Sequence, residues 1–228
     1  MSDDSRPAIR RDAAAIAAYA AAFGASFGAV SVASGLSVWQ TMVLSLVMFS
    51  GASQFALIGV IGGGGAGLAA VPTALLLGVR NAFYGVPLTR ILGRHDLSGP
   101  RRLATAHLVI DETTAMAVGR DERSAQRYAF WITGALLLVL WNAGTLAGAL
   151  GGSAIGDPAT LGLDAMIPAA FLALLWPRLR TVEGRVVAAG GALVATALIP
   201  LVPAGVPVLA AAPIAVVAGL LPRREASR

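Results

Sequence analysis

The apolar residues fall in long continuous runs separated by short polar segments, and they do not alternate with polar ones. The runs cover 13–36, 39–61, 66–92, 128–150, 159–177, 186–201 and 206–222. Most approach the roughly 20 residues that a helix needs to cross a bilayer. A chain inside lipid must satisfy its backbone internally, as helices or as a closed barrel, and continuous Ala- and Leu-rich runs select helices. The expected fold is all-α, a polytopic transmembrane helical bundle over 13–222. Polar tails at 1–12 and 223–228 are expected in the cytoplasm.

Several runs are irregular. Residues 13–36 are crowded with Gly, Ala and Ser, and 39–61 is interrupted by Ser50, Gly51, Ala52, Ser53 and Gln54. The four glycines at 62–65 read as a flexible turn. Residues 66–92 contain Arg80 and Asn81, and 103–119 looks helical yet carries His107, Asp111 and Glu112. The last two runs are short, and Pro200, Pro203 and Pro207 crowd their junction, which suggests a tight hairpin.

Charge orients these segments. Only 13% of residues are charged, against about 25% in soluble domains, and mean hydropathy is +0.75. All 17 basic residues are Arg. They lie between the apolar runs, so the net charge of +5 reads as membrane orientation rather than nucleic-acid binding. Arg6, Arg10 and Arg11, then Arg94 through Arg127, then Arg178, Arg180 and Arg185, and finally Arg223, Arg224 and Arg228 mark cytoplasmic segments. Loops at 62–65, 151–158 and 202–205 carry no Arg and are expected outside. The opening MSDDSRPAIRRD is too acidic for a signal peptide. A multi-pass protein of the bacterial cytoplasmic membrane, with both termini inside, is the expectation.

This topology closes in the second half only. Three apolar stretches lie between two inside segments in the first half, so one must fail to cross. The Gly-rich 13–36 is expected to be that broken or re-entrant element. Segment 103–119 starts and ends inside and is either re-entrant or interfacial. About six full crossings with one or two broken helices result. Broken helices at membrane depth need a cavity or protein cover, and transporters build substrate sites from them.

Ionisable groups inside a membrane cost roughly 2.5–3.5 kcal/mol each on insertion scales, so each calls for a reason. Arg80 either holds a substrate carboxylate through a two-pronged hydrogen bond, with Asn81 beside it, or pairs with Asp111, Glu112 or Asp164, or snorkels. Asp111 or Glu112 carries a proton, with His107 four residues earlier as a relay, or both acids sit at an interface facing Arg101 and Arg102. Ser50, Ser53 and Gln54 either offer polar groups to a zwitterion or bond across a helix contact. Glycines at 24 and 28 have the spacing of a helix contact. Asp164 caps a helix or joins the proton path, and Asn142 is expected to bond between helices. His107, Asp111 and Glu112 place at most two ligands on one helix face, which is poor metal spacing.

The chain has no Cys, which removes disulfides and thiol chemistry. Intramembrane protease motifs and a phosphate loop are missing from the sequence, so it is not expected to be an enzyme and no cofactor is implied. A transporter is the leading reading. A channel or a structural membrane subunit without transport of its own is the alternative.

Taken together, FGASFG at 23–28, SGASQF at 50–55, RNAFYG at 80–85, DET at 111–113, and Leu163 and Asp164 followed by PAAF at 168–171 resemble the AzlC family, large subunits of branched-chain amino acid exporters. The resemblance covers roughly residues 15–180. It implies efflux of leucine, isoleucine and valine, and often methionine, driven by the proton gradient. It also implies a small AzlD-type membrane subunit, with a dimer of such heterodimers as the assembly.

Overall fold

A computed structural model describes residues 5–154 and 166–220. Every regular element among them is helical: α1 (Ser5–Ala33), α2 (Val38–Val47), α3 (Gly51–Gly62), α4 (Gly67–Ile91), α5 (Gly99–His107), α6 (Asp111–Val118), α7 (Arg123–Ala154), α8 (Met166–Leu175), a 3-10 turn at Arg178–Arg180, α9 (Val182–Leu198) and α10 (Val206–Leu220). Arg6–Ala33, Gly67–Ile91 and Arg123–Ala154 are long and apolar enough to cross a membrane. The helices α9 and α10, of 17 and 15 residues, form the short C-terminal pair. Residues 221–228, including the expected cytoplasmic tail, lie outside the described part.

The spine is the pair α1 and α7. Arg10 Nε donates to the Tyr128 hydroxyl at 2.6 Å near their starts, and Gly152 meets Ala29 near their ends. The partners rise together, so the two helices run parallel. Their backbones touch at glycines: a Cβ on Gly24, Gly28, Gly144 or Gly148 would fall on the facing carbonyl of Trp141, Thr145, Ala21 or Ala25 respectively. Small residues permit this approach between helices in lipid. The contact expected of Gly24 and Gly28 is therefore present, and the break expected in 13–36 is not. The helix α1 is continuous over 29 residues because its glycines seat a neighbouring helix and its backbone bonds stay intact. It also starts at Ser5, so 5–12 form its first turns rather than a tail.

The interruption falls at 48–50 instead. A capping box at Ser37 and Gln40 starts α2 beside the end of α1, where the Ser31 and Thr41 hydroxyls are 2.8 Å apart. It advances past Thr145, to which Ser45 Oγ donates at 3.3 Å. The helix α3 then begins with Gly51 against the Trp141 ring and returns to end with Gly62 against Ser34. Thus α2 and α3 enter and leave by the same end. Gln54 closes this hairpin by donating Nε2 to the carbonyls of Met48 (2.5 Å), which also accepts from the Ser50 N–H (2.7 Å), and of Ser45 (3.3 Å) at the end of α2. The helix α4 runs back, from Thr73 donating to the Gly205 carbonyl (3.4 Å) to Arg123 Nε donating to the Ile91 carbonyl (3.2 Å). The segment 38–62 thus turns back on itself, and α4 runs antiparallel to α1 between the same two ends of the bundle.

A second hairpin enters from the basic end. Thr105, in the last turn of α5, donates at 2.8 Å to the carbonyl of Asp96, just ahead of that helix, and Arg120 binds Asp12 at 2.8 Å beyond the end of α6. Between them the chain breaks at 108–110, with Leu108 against Gly134. Thr113 pins the break by accepting from the Ile110 N–H (3.2 Å) and donating to the Leu108 carbonyl (2.6 Å). Residues 103–119 are thus two short helices joined at a break, with the tip packed inside the bundle. His107 and Asp111 lie on opposite sides of the break, so the expected shared helix face does not exist. The His107 ring stacks on Phe49, centroids 5.5 Å apart. The tips of the two hairpins meet there, beside a core built on Phe27, Phe55, Ile58, Phe130 and Leu137.

Candidate functional site

A cavity of about 470 Å³ opens where the tips meet. One wall is apolar: Ile16, Tyr19, Ala20 and Phe23 from α1, Phe55 from α3, and Leu137 and Trp141 from α7. The other is polar. Ser50, Gly51 and Ala52 come from the start of α3, Arg80 and Asn81 from α4, and Asp111 and Glu112 from the start of α6. Two half-length helices thus turn their N-terminal ends, the positive ends of their dipoles, toward one space. No side chain caps the start of α3, because Ser50 Oγ donates to Ser53 Oγ (3.2 Å) instead. Its first N–H groups therefore face the cavity with no partner from the helix itself.

Arg80 is held in place. Its Nη2 lies 2.7 Å from Asp111 Oδ2, and the Tyr84 hydroxyl, one turn along α4, donates to Asp111 Oδ1. The pairing reading of Arg80 is realised, with Asp111 as the partner. The pair is open to the cavity: 38% of the Arg80 side chain and 44% of that of Asp111 are exposed. Arg80 Nε and Asn81 Oδ1 are buried without a hydrogen-bond partner among the described residues. Glu112 is open to the cavity as well, and no described cationic side chain forms a salt bridge with it.

Five of the residues singled out in the sequence, Ser50, Arg80, Asn81, Asp111 and Glu112, converge on this space. Ser53 and Gln54 are buried within the hairpin and line no part of it. His107 flanks it behind Phe49, and Arg101, expected near the acids, instead donates to His95 Nδ1 at 2.6 Å. Asn142 bonds within its own helix, to the Leu138 carbonyl (2.7 Å), rather than across. Asp164 lies outside the described residues. Phe23 and Tyr84 stand in the FGASFG and RNAFYG motifs without an assigned role, and Tyr19 and Trp141 carry no local signal in the sequence. An aromatic in an apolar run looks like core, although Tyr84, four positions after Arg80, was within reach of the same helix face.

Comparison with known proteins fits this picture. The sequence pattern of a family described as "AzlC protein" matches residues 15–155. "Inner membrane protein YgaZ" of Escherichia coli (strain K12) is 30% identical over 149 residues, which cover 62% of this chain and 60% of that relative. The match thus spans less than two thirds of the relative's length. No solved structure matches. The apolar helices and the inner-membrane relative together point to an inner-membrane protein.

Proposed function

The chain belongs to the AzlC family, and from that premise we propose that it is a secondary transporter exporting branched-chain amino acids in exchange for protons, with a small AzlD-type subunit. The observation that carries the reading is the divided cavity, with aromatic and aliphatic side chains on one wall and ion-pairing groups on the other. Such a site suits a zwitterion with an apolar side chain. The substrate carboxylate would sit between the open N–H groups at the start of α3 and Arg80, replacing Asp111 as the guanidinium's partner. The released Asp111 would take the ammonium group. The side chain would lie against Phe23, Phe55 and Trp141. Binding therefore exchanges ion pairs and leaves no bare charge inside the membrane. Glu112, without a cation of its own, is the better proton carrier. Asp111 is tied to Arg80 and Tyr84. The exposed outer face of α4, with Leu75, Val79, Phe83 and Val86, supports a covering subunit.

The test is counterflow of radiolabelled leucine in proteoliposomes, with this chain alone and with its small partner, for wild type and Arg80→Ala. Uptake that requires the partner and falls at least about ten-fold in Arg80→Ala is expected, a loss worth about 1.4 kcal/mol or more. Absence of uptake by folded wild-type protein in both settings would remove the reading. A channel would show flux without counterflow.

A further inference from the structure

We propose that the groove at the basic end of the bundle, between the starts of α1, α5 and α7, is a binding site for the phosphodiester headgroup of an anionic phospholipid. The groove, of about 600 Å³, is lined by Arg6, Arg101, Ser124, Arg127, Tyr128 and Trp131, with Asp96 as its floor. Three helices contribute one guanidinium each. The one carboxylate among its described lining residues is already committed: Asp96 is fully buried, 2.5 Å from Arg127 Nε, and also accepts from the Gly93 N–H at 3.4 Å, while Glu122 at the edge accepts from Ser124 Oγ at 3.4 Å. Two positive charges remain uncompensated there, and neither Arg6 nor Arg101 has a carboxylate partner among the described residues. Arg101 donates to His95 Nδ1, which fixes that nitrogen as an acceptor. Arg6 is steadied over the Tyr128 ring, 5.4 Å from its centroid, while Arg10 bonds the hydroxyl of the same tyrosine.

Position favours a lipid over a soluble anion. Arg6 and Arg127 lie in the first turns of the two longest spanning helices, at the level where lipid phosphates would stand. Tyr128 and Trp131 are amphipathic aromatics of the kind found at that level. Leu103, next in sequence to the lining residue Ala104, is 74% exposed on α5 and offers apolar surface to acyl chains. Basic pockets between spanning helices at the cytoplasmic face recognise such headgroups. The proposal rests on the fold and is independent of what the central cavity carries.

Native mass spectrometry of the full chain in mixed micelles of phosphatidylglycerol and phosphatidylcholine tests it. Wild type should retain phosphatidylglycerol with about a ten-fold preference, on the scale that juxtamembrane arginines contribute. Arg6→Ala with Arg101→Ala should bring the preference close to parity. Arg180→Ala, an exposed arginine elsewhere, should leave it unchanged, as should the charge-retaining Arg101→Lys. An unchanged preference in the double variant overturns the proposal. So does an equal loss in Arg180→Ala, which would mean diffuse attraction. Inorganic phosphate added at millimolar concentration should not displace the lipid; displacement would assign the groove to a soluble anion.

Discussion

Asp111 and Glu112 are neighbours in the sequence, yet the fold surrounds them differently. Asp111 is held by Arg80 and Tyr84, whereas Glu112 opens onto the same cavity with no salt bridge to a described cation. Of the two, Glu112 is the carboxylate that can exchange a proton without breaking an ion pair inside the membrane. Glu112→Gln should therefore keep leucine counterflow within about two-fold and lose proton-driven uphill export, about ten-fold or more. Unchanged uphill export would move the coupling elsewhere. The polar half of this site was legible in the sequence because Arg80, Asp111 and Glu112 interrupt apolar runs and demand explanation. The apolar half was not. Nothing local separates Trp141 at the cavity wall from Phe130 in the core, since the difference lies in what faces them.

At the scale of elements, Gly and Ser content marks both helix contacts and helix breaks, and the sequence alone does not tell them apart. In α1 the deciding partner is α7, with Arg10 and Tyr128 in contact although 118 positions apart. The Gly148 position tests that contact. Gly148→Leu would drive a side chain into the Ala25 backbone and should destabilise the folded protein by about 1–3 kcal/mol or more, read as a lower midpoint in detergent unfolding. Gly151→Leu, where nothing lies within 4 Å of a Cβ, is the matched control. The loop before α5 offers a second test. Burial alone would raise the Asp96 carboxyl, but hydrogen bonding to Arg127, the charge of that arginine and the Gly93 N–H outweigh it and hold the group below its ordinary value. A lowered folded value contributes stability above the unfolded value of about 3.9, and that contribution disappears as pH falls through the folded value. Asp96→Asn should cost about 1–3 kcal/mol at neutral pH. Its deficit against wild type should shrink below about pH 4, as followed by thermal unfolding across pH.

For the molecule as a whole, the arginine pattern and the parity of crossings led to the expectation that a stretch in the first half turns back, and the described structure has its hairpin at 38–62. Pattern and parity could not say which, because 13–36 and 39–61 are both apolar and both interrupted by small residues. A chain without Cys makes the outcome easy to check. Ser34→Cys and Gly63→Cys, at the two ends of the first hairpin, should both react with an impermeant maleimide from one face of oriented vesicles, and Ser124→Cys from the other. Labelling of Ser34→Cys and Gly63→Cys from opposite faces would show 38–62 to be a crossing. The meeting of two half-depth hairpins also has an electrical consequence. The two tips meet around Phe49 and His107, beside the cavity that Glu112 lines. A proton exchanged there for a neutral zwitterion moves one net charge across the membrane per cycle, about 2.3 kcal/mol per 100 mV, so each cycle should be measurably electrogenic.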